Sequence, residues 1–190
     1  MINVSKWKAY FHLRNIRTLK PFPSHESLVT VTHAFITSRI DYCNSLLFGI
    51  SDYNINRLQR IQNCAAQVIT NTKKYDHITP VLRNLHWLPV RYRIKYKILL
   101  IVYKVISGTA PSYLCDLLSI KTSTRTLRSN NHVMLHVPVS RLKTFGDASF
   151  STAGPILWNG LPLHVKTAHT VGQFKSLLKT QLFTAAFESS

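Results

Sequence analysis

The sequence predicts a mainly α, bundle-like fold that ends in a helix and is interrupted by one irregular insertion carrying at most a short strand. Three observations predict it. Apolar residues recur every three to four positions in segments punctuated by "PFPS", "FGISD" and "SGTAP", the period of helices with a buried face. Residues 120–131 are rich in Ser, Thr and Asn without an apolar period, which reads as a loop. Hydrophobic residues make up 45% of the 190, and aromatics 11%, so the chain can bury a core.

The first segment, "NVSKWKAYFHLRNIRTLK", sets Val4, Trp7 and Phe11 on one helical stripe and stops at the prolines of "PFPS", which cannot continue a helix. Ser24 suits the N-cap of the next helix, where Leu28, Val31 and Phe35 recur. After Gly49, Ser51 or Asp52 can cap a helix from about Tyr53 to Thr70. Its apolar face is Ile55, Leu58, Ile61, Ala65, Val68 and Ile69, with Arg57 and Arg60 off it. "HITPVLRNLHWLP" reads as a short helix with Thr79 as N-cap and Pro80 in the first helical position.

"RYRIKYKI" (residues 91–98) alternates like a strand, but its continuation "LLIVYKVI" does not. At ~100° per residue, a helix from Pro89 to Ile106 accounts for every apolar side chain. Val90, Ile94, Ile98, Ile101 and Val105 form one arc; Tyr92, Tyr96, Leu99, Tyr103 and Ile106 form a second. Arg93, Lys97 and Lys104 lie together in the gap as a basic ridge, whereas Arg91 and Lys95 project near the first arc. "PSYLCDLLS" adds a further turn or two. "HVMLHVP" alternates Val133, Leu135 and Val137, a short strand at most, and "FSTAGPILWNGLP" reads as turn-rich with buried aromatics. The last helix spans about Thr170 to Phe187, with Phe174, Leu177, Leu178, Leu182 and Ala185 inward and Lys175 and Lys179 outward. The composition divides the chain into a helical region, 1–118, and a region of basic loop, strand or turn, and C-terminal helix, 119–190.

Charge restricts the function. There are 24 Lys+Arg against 7 Asp+Glu, a formal +17, and such an imbalance calls for a polyanion or an anionic surface. Between His77 and Gly146 eleven bases face one acid, Asp116, so the basic character belongs to folded sequence rather than to a tail. The longest apolar run, Ile98 to Tyr103, falls far short of the ~20 residues that span a bilayer, so no membrane partner is expected. Cys43, Cys64 and Cys115 are odd in number and far apart, and no signal peptide precedes them. They read as reduced, buried thiols of an intracellular protein, nuclear or cytoplasmic and not secreted.

No catalytic, metal or cofactor site is expected. The seven carboxylates are scattered, whereas two-metal phosphoryl transfer needs clustered acids. No glycine-rich phosphate loop or nucleophile elbow occurs. The cysteines lack zinc-ligand spacing, and His132 and His136, four apart, sit in an extended segment. What remains is binding. The candidate nucleic-acid-binding residues are Arg93, Lys97 and Lys104, then Arg57 and Arg60, then Arg125, Arg128, Arg141 and Lys143 around the loop. They would contact phosphates of RNA or DNA with little sequence preference. A solvated helix edge is the plainer reading of the ridge; the charge excess and the lack of nearby carboxylates favour phosphate. The tyrosines read as core, with base stacking as the alternative.

Several stretches occur in a telling order: "SRIDYCNSLLFG" (38–49), "RLQRIQNCAAQVIT" (57–70), "HITPVLRNLHWLPVRYRIKYKILLIVYK" (77–104), "GTAPSYLCDLL" (108–118), "LRS" (127–129), "FSTAGPILWNGLP" (150–162) and "FKSLLKTQLF" (174–183). Together they resemble the region after the polymerase core in reverse transcriptases of non-LTR, LINE-type retrotransposons of the jockey-like group. The resemblance covers nearly the whole chain. It implies a thumb and C-terminal extension that hold template RNA and primer-template duplex, here as a fragment without polymerase activity. The family's metal-binding Tyr-x-Asp-Asp box has no counterpart: the nearest match, Asp41-Tyr42-Cys43, has one acid and the wrong order. The Cys/His zinc knuckle of some relatives is also missing. Two other readings stay open. The chain could be a protein-interaction module docking on a reverse transcriptase core through partly exposed Trp87, Trp158 and the arc around Ile94, or a decayed element copy without function.

Overall fold

The computed structural model describes residues 2–121, 133–139 and 146–188. It is mainly helical, as the periodicity predicts. The chain forms two compact units. The first comprises residues 2–44 and 50–93; the second comprises 45–49 and the described residues of 94–188. The boundary thus falls inside a helix and not at the change of composition near residue 119.

In the first unit, α1 (Ile2–Leu19), α2 (His25–Thr32), α3 (Ser38–Asp41), α4 (Asp52–Thr70) and α5 (Ile78–Asn84) precede the opening turn of α6 (Val90–Ile106). α4 is central, packing against α1, α2 and α5. Its face of Ile55, Leu58, Ile61, Ala65 and Ile69 is buried as the sequence predicts, together with Gln62 and Ala66. Gln62 is buried yet satisfied: its Nε2 donates to the Leu88 carbonyl at 2.9 Å. α1 differs. Ala9, Leu13 and Ile16 are buried while Phe11 is 62% exposed, and the side chains of Val4 and Trp7 lie outside those described.

α2 also turns a different face inward. Its N-cap is Ser24, whose Oγ accepts from Ser27 N–H at 3.2 Å, but Leu28, Thr32, Ile36 and Ile40 are buried and Phe35 is exposed. Steps of four residues drift by about 40° each on an α-helix. A π-helical turn, His33–Thr37, joins α2 to α3, and its wider i→i+5 pitch takes back part of that drift. The four side chains therefore stay on one face. α5 starts at Ile78 with His77 as N-cap, so Pro80 is third and not first; its missing N–H still falls in the turn where donors have no partner. His86, at φ 53°, ends α5 and turns Trp87 and Leu88 into the core.

In the second unit, α6 is followed by α7 (Ser112–Cys115), α8 (Phe150–Asn159), α9 (Leu163–Lys166) and α10 (Val171–Phe187). The segment "FSTAGPILWN", which reads as turn, is the helix α8, with Pro155 inside it. The misreading comes from Gly154-Pro155, which tertiary packing overrides. A Cβ on Gly154 would lie 3.0 Å from Val102 Cγ2, so the missing side chain lets α8 approach α6 closely. Tyr103 of α6 stacks on Phe174 of α10, centroids 4.1 Å apart, and its hydroxyl donates to the Ala168 carbonyl at 2.9 Å. Phe174, Leu178 and Leu182 carry the buried face of α10. Thr170 caps that helix, accepting from Gln173 N–H at 3.1 Å.

The expected strand reduces to one antiparallel bridge, Ile120 with Leu135. Of the three alternating residues only Leu135 is buried, while Val133 and Val137 are exposed. Asn159 holds Leu135 from the other side. Its Oδ1 accepts from Leu135 N–H at 3.0 Å and its Nδ2 donates to the Leu135 carbonyl at 2.9 Å. Trp158 Nε1 donates to the Val133 carbonyl at 2.8 Å.

Candidate nucleic-acid interface

The ridge on α6 is set by the helix's burial pattern. Val90, Ile94, Ile98, Leu99, Val102 and Tyr103 are buried, so the two apolar arcs of the sequence reading merge through Val102 into one broad face. Lys97 and Lys104 lie opposite and are exposed. Neither takes part in an ion pair among the described residues.

Arg93 behaves differently, and here the expectation of a ridge without carboxylates needs correction. Its side chain is only 15% exposed, and Nη1 donates to Asp41 Oδ2 at 2.6 Å. Its Nε donates to the Leu88 carbonyl at 2.9 Å. Arg93 therefore joins α3 to the start of α6, and Asp41, the lone acid of the Asp-Tyr-Cys look-alike, is its structural partner. Arg91 likewise pairs with Asp52, on the surface at the start of α4. Of the three ridge bases, Lys97 and Lys104 face solvent and Arg93 is held in the fold.

On α4, Arg60 is exposed, and the half-buried Arg57 places its guanidinium 5.6 Å from the Tyr53 ring centroid. Arg125, Arg128, Arg141 and Lys143 lie outside the described residues, as does His132. The tyrosines of α6 serve packing: Tyr103 is buried, and burial pushes the Tyr96 phenol above its ordinary value. Trp87 and Trp158 are both buried, contrary to the docking reading. Cys43 is exposed and Cys64 and Cys115 are half-buried, all three as free thiols, so full burial of the cysteines is not observed. Burial raises the Cys64 thiol above its ordinary value, with Lys74 opposing. No helix among the described residues is long and apolar enough to cross a membrane.

The first unit also holds a basic groove of about 920 Å³ between the ends of α1 and α4. Arg17, Lys20, Lys73, Lys74 and Tyr75 line it, together with Cys64. Asn71, at φ 59°, ends α4 in the left-handed conformation. Its Oδ1 accepts from Lys20 Nζ at 2.9 Å, tying the end of α1 to the loop. Asp76 Oδ2 accepts from Lys73 N–H at 2.9 Å, and Gln67 Nε2 donates to the Lys73 carbonyl at 3.3 Å. Residues 73–76 are thus a braced turn. The sequence contains the signal, "TKKYDH" just past a helix end, but the convergence with Arg17 and Lys20 is tertiary and has no local signature. Compared with known families, with curated proteins and with solved structures, the chain matches none.

Proposed function

We propose that the chain is a non-catalytic nucleic-acid-binding fragment of a retrotransposon reverse transcriptase that contacts template RNA or primer-template phosphates. The observation that carries this reading is the pair Lys97 and Lys104, exposed on one side of α6 without ion-pair partners among the described residues, in a chain of net charge +17. Bases without internal carboxylates find external anions, and a phosphate backbone supplies them in a row. The ordered motifs supply the retrotransposon part of the reading. Ammonium groups without a bidentate geometry act as point charges, so affinity with little sequence preference is expected.

The experiment is a titration of the purified chain with RNA, DNA duplex and RNA–DNA hybrid over a series of salt concentrations. Binding should weaken steeply with salt. Lys97→Ala with Lys104→Ala should reduce the log–log slope by about one per lost contact on duplex. Binding that is indifferent to salt would sink the proposal.

A further inference from the structure

The groove between the ends of α1 and α4 has a chemistry that the ridge lacks. Tyr75 is 91% exposed, on a turn held by the Gln67 and Asp76 side chains. Lys74 Nζ sits 5.8 Å from its ring centroid. Arg17, Lys20, Lys73 and Lys74 line the same groove, and none of the four pairs with a carboxylate among the described residues. The one acid of the turn, Asp76, has an oxygen committed to Lys73 N–H.

We infer that this groove is a binding site for single-stranded polynucleotide, in which Arg17, Lys20, Lys73 and Lys74 meet successive phosphates and Tyr75 stacks on an unpaired base. Cations alone would serve any polyanion. An exposed ring beside them selects a ligand with free π-faces, which single strands offer and duplexes keep in their own stack. An anionic lipid surface would also satisfy the lysines. It favours an aromatic backed by further apolar side chains that can enter the interface, whereas Tyr75 is followed by Asp76 and His77. The bracing of the turn by Gln67, Asp76 and the Lys20–Asn71 contact means that little ordering is needed on binding. The inference rests on the nucleic-acid reading of the chain but places the single strand in the first unit, on residues outside α6.

The test is fluorescence anisotropy of the full chain with a labelled mixed-sequence single strand, the matching duplex and anionic phospholipid vesicles, each over a salt series. Tyr75→Leu should weaken single-strand binding roughly 5- to 150-fold and duplex binding far less, while Tyr75→Phe retains it. Lys73→Ala with Lys74→Ala should flatten the single-strand log–log salt slope by about 1.4. Lys97→Ala with Lys104→Ala is the separate arm for the α6 ridge. Loss there with silent groove variants overturns the groove and leaves the ridge; the reverse supports the groove without the ridge. Wild-type binding by Tyr75→Leu, equal loss on strand and duplex, or binding to vesicles alone overturns the inference. Absence of all polynucleotide binding overturns both readings.

Discussion

A base on a positively charged surface can hold the fold or meet a ligand, and Arg93 and Lys97 divide along that line. One turn apart on α6, they share a helix side, yet only Arg93 has Asp41 and the Leu88 carbonyl within reach. Arg93→Ala should lower the stability of the first unit by about 1–3 kcal/mol, because it removes the charged donor of the Asp41 carboxylate, while the Leu88 carbonyl keeps the Gln62 amide. Lys97→Ala should change stability by less than about 0.5 kcal/mol and act on binding instead; denaturant midpoints and anisotropy separate the two. His33 lies in the same neighbourhood, its ring 5.3 Å from Trp87. Burial, then Arg93, holds its imidazole below the ordinary value, against Asp41. The native state therefore takes up this proton less readily than the unfolded chain, so the contribution is intact above about pH 6.5 and declines on acidification below it. The ring is partly open to solvent, which keeps the effect small. His33→Gln should reduce the fall in melting temperature between about pH 7 and pH 5.5; an unchanged fall would assign it to other histidines.

The helices show where periodicity is a sufficient guide and where it fails. α4 and α10 were legible because each carries one apolar stripe and an N-cap residue type at its start, Ser51 for one and Thr170 for the other, although only Thr170 makes the capping hydrogen bond. α8 was not legible, because Gly154-Pro155 imitates a turn and only contact with Val102 gives the glycine its purpose. Gly154→Ala sets a gain in helix propensity of about 1 kcal/mol against overpacking of about 1–3 kcal/mol. Val102 is fully buried and β-branched, with little rotamer freedom in a helix, so overpacking should win and the denaturant midpoint should fall. The face of α2 was misjudged by one position for another physical reason: a π-helical turn changes the pitch and leaves no mark in the apolar pattern. Asn159 was also missed, since a side chain that completes another segment's backbone hydrogen bonds has no periodic signature. Asn159→Ala leaves both groups of Leu135 unpaired and should cost about 1–3 kcal/mol, with faster hydrogen exchange at the Leu135 amide.

At the scale of the whole molecule, charge was the most legible property and its placement the least. The sum of +17 follows from counting, and the exposure of Lys97 and Lys104 follows from the helical wheel of α6. The meeting of Arg17 and Lys20 with Lys73 and Lys74 depends on α1 packing along α4, a contact between residues about fifty positions apart. The same excess of charge should make the isolated chain soluble in low salt and more prone to self-association as salt screens its repulsion; light scattering over a salt series checks this. Asn159 then acquires a second meaning. The 119–121 segment uses the Met134 carbonyl and the His136 N–H, and the Asn159 amide uses both groups of Leu135. The extended piece is therefore closed on both edges, and no neighbouring molecule can add a strand to it at these positions. When salt weakens the mutual repulsion of these cationic molecules, the Asn159 amide and the Trp158 N–H keep that edge from serving as a template for intermolecular sheet growth.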